Sequence, residues 1–245
     1  MKKFLLIKQV LSAAFIILSA AIFAWAQTSN SAKHNTRQER VPEAVIPTPP
    51  SSDSTKYSYE FNQPKFLVKH IVIEHDTNGK GKITFERLNE DVPVEESLEL
   101  STAALQRVKS LWQALNFLNS DTNYQASKNF AHLGTMRIGM QQGERKRVAE
   151  FNWTNDGSAE ALVNEYRRAA DQAILVFDIA IARENQPLNA PKLMEVMESY
   201  IRRNALSDPH QLIPLLKDMS TDEHIPLMAR NHALRIIKQI QKLEN

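Results

Sequence analysis

Residues 158–183 read SAEALVNEYRRAADQAILVFDIAIAR, and the two halves of this stretch differ in kind. Val163, Tyr166 and Ala170 recur at helical spacing, and the stripe continues through Ile174, Phe177 and Ile181. Glu160, Glu165, Arg167, Arg168 and Asp171 lie off that stripe. From Ala173 to Ala182 every residue except Asp178 is apolar. A helix that begins one-sided and becomes apolar all round predicts one neighbour early and several late. The expected fold is therefore α+β. An antiparallel sheet of two β-hairpin-plus-helix units surrounds this long central helix, and a C-terminal helical subdomain follows it.

The flanking sequence fills in the units. Tyr57, Tyr59 and Phe61 alternate with polar residues, which is the strand period. Residues 66–75 are rich in Val and Ile, 76–81 carry turn chemistry, and 82–88 place Ile83 and Phe85 on one face, so a hairpin is expected. Residues 90–99 are acidic and broken by Pro93, and no element is assigned to them. Ser101 caps a helix running to about residue 119, with Leu105, Val108, Trp112 and Leu115 on its apolar stripe and Leu111 and Leu118 widening it. A long polar connection follows at 119–134, of a length that often carries function. A second hairpin occupies 135–153, and Asp156 or Ser158 caps the central helix. Pro187 breaks that helix. Pro191 opens the next, Asp208-Pro209 another, and the last spans 225–243.

The start of the chain reads as an export signal. Lys2 and Lys3 precede the apolar run 11–23, and Ala24-Trp25-Ala26 supplies a small-x-small cleavage site. Cleavage after Ala26 is expected, giving a periplasmic or secreted protein with no stable membrane span. Residues 27–56, rich in Pro, Ser and Thr, read as a disordered spacer. The α+β domain is then 57–186 and the helical subdomain 187–245. Residues 1–26 hold three lysines and no acid, so a chain of net charge +2 becomes −1 after cleavage. That balance predicts no nucleic-acid partner. The absence of cysteine excludes thiol nucleophiles, iron–sulfur clusters and thiolate zinc sites. No serine-nucleophile, phosphate-loop or zinc-hydrolase spacing occurs, and no cofactor is expected.

Three groups of residues have chemical potential. His70 and Glu74 share a strand face, and a metal site there needs a further donor such as His132. Residues 76–87 resemble a calcium-binding EF-hand loop. Asp76 and Asn78 match ligand positions, Gly81 the turn glycine and Ile83 the apolar position after it. Lys80 and Arg87 stand where oxygen donors belong, and Glu86 comes one residue early. A plain Asn-Gly hairpin turn is the simpler reading. Arg145, Lys146 and Arg147 beside Phe151 and Trp153 read as a charged strand edge rather than a nucleic-acid surface. Asp178, a carboxylate in an apolar decapeptide, needs a partner, and a structural ion pair with the C-terminal helices, through Arg230 or else Arg202, is expected in preference to a catalytic acid of raised pKa.

Two resemblances add to this. Residues 208–240 resemble a single HEAT-type helical repeat. Asp208-Pro209 opens its first helix, lined by Leu212, Leu215 and Leu216, and residues 228–234 are similar to the Val-Arg-x-x-Ala-x-x-x-Leu segment of its second. Ala229 stands at the Val position and Pro226 in the first turn. Residues 66–183 look like uncharacterised exported bacterial domains of unknown function. The shared features are Asp76 and Gly79 at a hairpin turn, Leu100-Ser101 at a helix start, Leu115, Phe117 and Leu118 at its end, Tyr124, and a hairpin around Gly143. This resemblance implies an exported α+β domain and carries no activity. The leading expectation is a non-enzymatic exported domain that binds a protein or supports an envelope assembly. The alternative is a metal-dependent or hydrolase-like enzyme using 70–76 and the 119–134 loop; a calcium-binding module at 76–87 is third.

Overall fold

The structure is a computed structural model and describes residues 55–244. The expected signal at 1–26 and the expected linker up to residue 54 lie outside the described residues. Six strands form one antiparallel sheet: β1 Thr55–Asn62, β2 Val68–Asp76, β3 Lys80–Arg87, β4 Val94–Glu99, β5 Thr135–Gln142 and β6 Arg145–Phe151. The spatial order is β4-β3-β2-β1-β5-β6. The first strand thus joins the meander β2-β3-β4 to the hairpin β5-β6. It begins at Thr55, a buried residue within the segment expected to be linker.

One row of the ladder fixes the register. Ile83 pairs with Ile73, Ile73 with Tyr59, Tyr59 with Ile138, and Ile138 with Ala149. Tyr59, Ile73, Ile83 and Ile138 are fully buried. A slip by one residue would turn each of them to solvent, at about 1.5–3 kcal/mol per side chain. The opposite face is polar and carries a row of alternating charge. Arg137 lies 3.3 Å from both Glu60 and Glu150, and His70 lies between Glu60 and Glu86. Such partly exposed pairs contribute about 0.2–1 kcal/mol each, so they follow the register that the apolar row sets.

β4 was not expected. Pro93 stands just before the strand, where it need not donate to the ladder. Glu95, Glu96 and Glu99 leave only Leu98 buried, so the segment has no visible period. It is an edge strand, and Lys82 reaches Glu95 at 2.9 Å. Its charge suits an edge that must not pair with another chain.

Two helices cover the apolar face. Helix α1, Thr102–Ala114, is capped by Ser101, whose hydroxyl accepts from Ala104 N–H at 3.2 Å. It ends earlier than expected because Asn116 adopts φ 42°, and a 3-10 turn at Phe117–Asn119 then buries Phe117. Helix α2, Gly157–Asn185, is the expected central helix. Asp156 caps it through Ser158 and Ala159 N–H, both at 2.9 Å.

Two apolar clusters meet on α2. Val163, Tyr166 and Ala170 belong to the sheet cluster, against which Ala173, Ile174 and Phe177 also pack. Leu175 and Ile179 belong to a second cluster with helices α3 Ala190–Arg202, α4 Ile213–Thr221 and α5 Leu227–Gln241. The late half therefore has neighbours on two sides, as its composition implies. Two residues depart from the expected stripe. Ile181 is 40 % exposed, and Glu165 is buried because Arg107 and Arg168 bind it. Among the described residues, no helix is long and apolar enough to cross a membrane.

Candidate functional site

The sequence candidates are dispersed. His70 faces carboxylates with both ring nitrogens, Glu60 at 3.1 Å and Glu86 at 3.2 Å, within the charge row. Glu74 faces Lys82 at 4.0 Å, and His132 stands exposed in the 3-10 turn Ala131–Leu133. The structure does not bring His70, Glu74 and His132 together. Among the described residues, no group of three or more His, Asp or Glu side chains is arranged to hold a metal ion.

The 76–87 segment is a hairpin turn. One carboxylate oxygen of Asp76 accepts from Asn78 N–H at 2.7 Å and Lys80 N–H at 3.0 Å. Burial pushes this carboxyl up, but the bonds from Lys80 and Asn78 together outweigh it and hold the carboxyl below the usual range. Gly79, at φ 77°, is the turn glycine; Gly81 lies within β3. Glu86 is held by His70 and Lys69, and Arg87 ends β3 opposite Val68 with its side chain on Asp178.

Arg87 is the partner of Asp178, and this corrects the expected pair with Arg230. Asp178 follows Phe177 on the side of α2 that meets β3. The Arg87 guanidinium lies 5.4 Å from the Phe85 ring and 5.8 Å from the Phe177 ring. The C-terminal helices pack on the Leu175–Ile179 side, and other polar groups tie them. Gln172 accepts from Asp208 N–H at 2.8 Å, and Arg183 meets Asp222 at 3.0 Å.

The 119–134 loop is bound rather than open. Gln125 bonds Asn152 through both ends of its amide, and Ala126 N–H reaches Trp153 O at 2.9 Å. Arg147 donates to Phe117 O at 2.6 Å and Thr122 O at 2.7 Å, with its guanidinium 4.5 Å from the Phe117 ring. Arg145 donates to Leu118 O at 3.0 Å. These arginines of the edge strand β6 clamp the loop.

A buried polar network lies between sheet and helices. Trp112 Nε1–H donates to the Tyr166 hydroxyl at 3.0 Å, and that oxygen lies 2.8 Å from His75 Nε2. His75 Nδ1 lies 2.7 Å from Asp76 O, which can only accept. The consistent assignment is a neutral His75 with its proton on Nδ1 and Tyr166 donating to Nε2. Burial accordingly depresses the His75 pKa. Every member is satisfied, which marks a structural tie.

The remaining feature is a cleft of about 670 Å³ at one end of the sheet, beside the first half of α2. Its floor is apolar: Phe61, Ile71, Met136, Phe151 and Val163. Its rim exposes Phe66 at 44 %, Leu67 at 71 % and Trp153 at 41 %. Along the α2 wall stand Glu160, Asn164, Arg167 and Asp171. Burial pushes the Asp171 carboxyl up to about 6, although Arg167 and Arg203 pull it down. Tyr59 is fully buried in the wall. Burial raises its pKa to about 12, and the adjacent Arg167 guanidinium opposes the rise through its charge and as a hydrogen-bond donor to the phenol oxygen. Arg167 itself has no ion pair among the described residues and meets the Met136 sulfur at 3.2 Å.

Sequence reasoning placed Glu160, Arg167 and Asp171 on the polar side of α2 and did not join them to a site. One signal was available: Glu160, Asn164, Arg167 and Asp171 follow each other at spacings of four, three and four, a line along the edge of the apolar stripe. No protein-family model matches this chain, and a search of curated proteins returned no match either.

Proposed function

We propose that this is an exported, non-enzymatic binding domain whose partner is a protein, and that the cleft between α2 and the end of the sheet receives an apolar segment of it. The observation that carries the reading is the cleft itself: an apolar floor, a rim of exposed Phe66, Leu67 and Trp153, and a few polar groups on one wall. Concave apolar sites of about 300–1,000 Å³ with a few placed polar groups are the usual form of ligand pockets. Aromatic rim residues are common binding anchors. The groups with most catalytic potential are engaged elsewhere, His75 in the core network and His70 in the charge row. Export rests on the leader-like residues 1–26.

The test is capture from envelope extracts with the mature chain, comparing surface variants. Leu67→Glu at the rim is expected to abolish capture of a specific partner. Leu188→Glu and Leu227→Glu, exposed at 83 % and 61 % on the helical subdomain, are expected to retain it. Loss with the helical variants and retention with Leu67→Glu would move the binding surface to the C-terminal helices.

A further inference from the structure

We propose that the outer face of α5 is a peripheral contact for an anionic lipid surface, independent of the cleft. Between Glu223 and Glu244 the sequence holds Arg230, Arg235, Lys238 and Lys242 and no acid. Ala229, Ala233, Ile236 and Ile240 bury one side of α5 in the helical cluster. The opposite side is open. Leu227 is 61 % exposed, Met228 66 % and Leu234 46 %, and Arg235, Lys238 and Lys242 are exposed with them. On a helical wheel these six positions fall within an arc of about 140°. None of the three cations has an ion pair among the described residues. Two carboxylates of the subdomain are already engaged, Glu198 by His232 at 3.1 Å and Asp222 by Arg183 at 3.0 Å. The face therefore joins unpaired positive charge to exposed apolar side chains, and what complements it is negative and amphiphilic.

Two simpler accounts explain less. Cations in a last turn complement the helix dipole, which covers Lys238 and Lys242 but neither Arg235 nor the exposed leucines. A partner helix would need an apolar seam. Positions 227, 231, 234, 238 and 241 follow the four-three spacing of such a seam and read Leu, Asn, Leu, Lys, Gln. A rigid helix packed there would bury Lys238 among apolar side chains and desolvate its ammonium. A bilayer surface imposes no such cost. The Leu and Met tips enter the boundary between headgroups and acyl chains, while the stems of Lys and Arg lie along it and carry their charges to the lipid phosphates. Those phosphates supply the negative charge that α5 lacks. Three cations and three apolar side chains give a reversible contact and no anchor.

The test is co-sedimentation of the mature chain with vesicles of phosphatidylcholine, alone or with about 30 % phosphatidylglycerol. Binding to the anionic vesicles is expected to exceed binding to the neutral ones about tenfold or more at low salt, and to fall as salt screens the headgroups. Arg235→Gln, Lys238→Gln and Lys242→Gln combined are expected to remove the preference, each cation being worth about fivefold. Leu227→Ser with Leu234→Ser is expected to weaken binding to the anionic vesicles about tenfold with the charge unaltered. All five side chains are exposed, so both variants are expected to unfold at the same temperature as the unaltered chain. Leu67→Glu at the cleft is expected to leave vesicle binding unchanged, so that the two surfaces stand or fall separately. Equal binding to both kinds of vesicle, or binding to neither, would overturn the proposal. Loss with Leu67→Glu and retention with the α5 variants would overturn it by moving the lipid contact to the cleft rim. Retention on immobilised poly-glutamate with none on vesicles would replace the bilayer with an acidic polypeptide.

Discussion

A Cβ placed on Gly81 would lie 1.8 Å from the Glu74 carbonyl oxygen and 2.7 Å from His75 Cα, both backbone atoms that cannot move aside. Gly81→Ala is expected to destabilise the fold by about 1–3 kcal/mol in urea titration. Gly157→Ala, where nothing lies within 4 Å, is expected to be neutral or stabilising. Nothing in the sequence separates these glycines, because Gly81 is constrained by a cross-strand neighbour known only from the register. Asp178 has the same history. Its isolation among apolar residues shows in the sequence, but its partner depends on which side of α2 meets β3. A double-mutant cycle between Arg87 and Asp178 is expected to give a coupling of about 1 kcal/mol, the pair being partly exposed. The corresponding cycle between Arg230 and Asp178 is expected to give none. A coupling to Arg230 with none to Arg87 would reverse the assignment.

At the scale of elements, period and caps were legible where one side of a segment is buried. The hairpins, the Ser101 cap and the length of α2 follow from alternation, helical spacing and turn chemistry. β4 was not legible, because its acids serve an edge and mask its period. The 119–134 loop was legible only as a long polar connection. What orders it is two arginines on the far end of β6, which the sequence shows merely as charge beside aromatics. Arg147→Ala removes bonds to Phe117 O and Thr122 O and the contact with the Phe117 ring. Hydrogen exchange is expected to quicken across residues 117–124 in that variant, with the amides of β1, β2 and β5 unchanged. Uniform loss of protection across the sheet would show that the loop and sheet unfold as one unit.

At the scale of the molecule, α2 joins two apolar clusters, and its partly buried carboxyl reports on that position. Asp171 has a folded pKa of about 6 against 3.8 for the free group. An acid whose pKa rises on folding stabilises the fold fully below its unfolded value, and that contribution is lost as pH rises through the folded value. Stability is therefore expected to fall between about pH 4 and pH 6 on this account, with Arg167, Arg203, Tyr59 and Tyr200 as the charged and titratable groups facing Asp171. His75, whose pKa is depressed, acts with the opposite sign, lowering stability as pH falls below 6.5. Asp171→Asn should remove the fall with rising pH and leave only the loss of stability on acidification, from His75 and from the lowered carboxyls of Asp76, Glu86 and Asp222; an unchanged profile would show that Asp171 titrates as an exposed carboxyl.

The fold class was readable from one long helix and two hairpins. The cleft was not, because its walls come from five separate segments that only the sheet order brings together. The most direct test of the account is the hydrogen-exchange footprint of a partner captured by the mature chain. The cleft reading predicts protection confined to residues 63–68, 152–154 and the first half of α2. Protection confined to the polar sheet face or to α4 and α5 would contradict it.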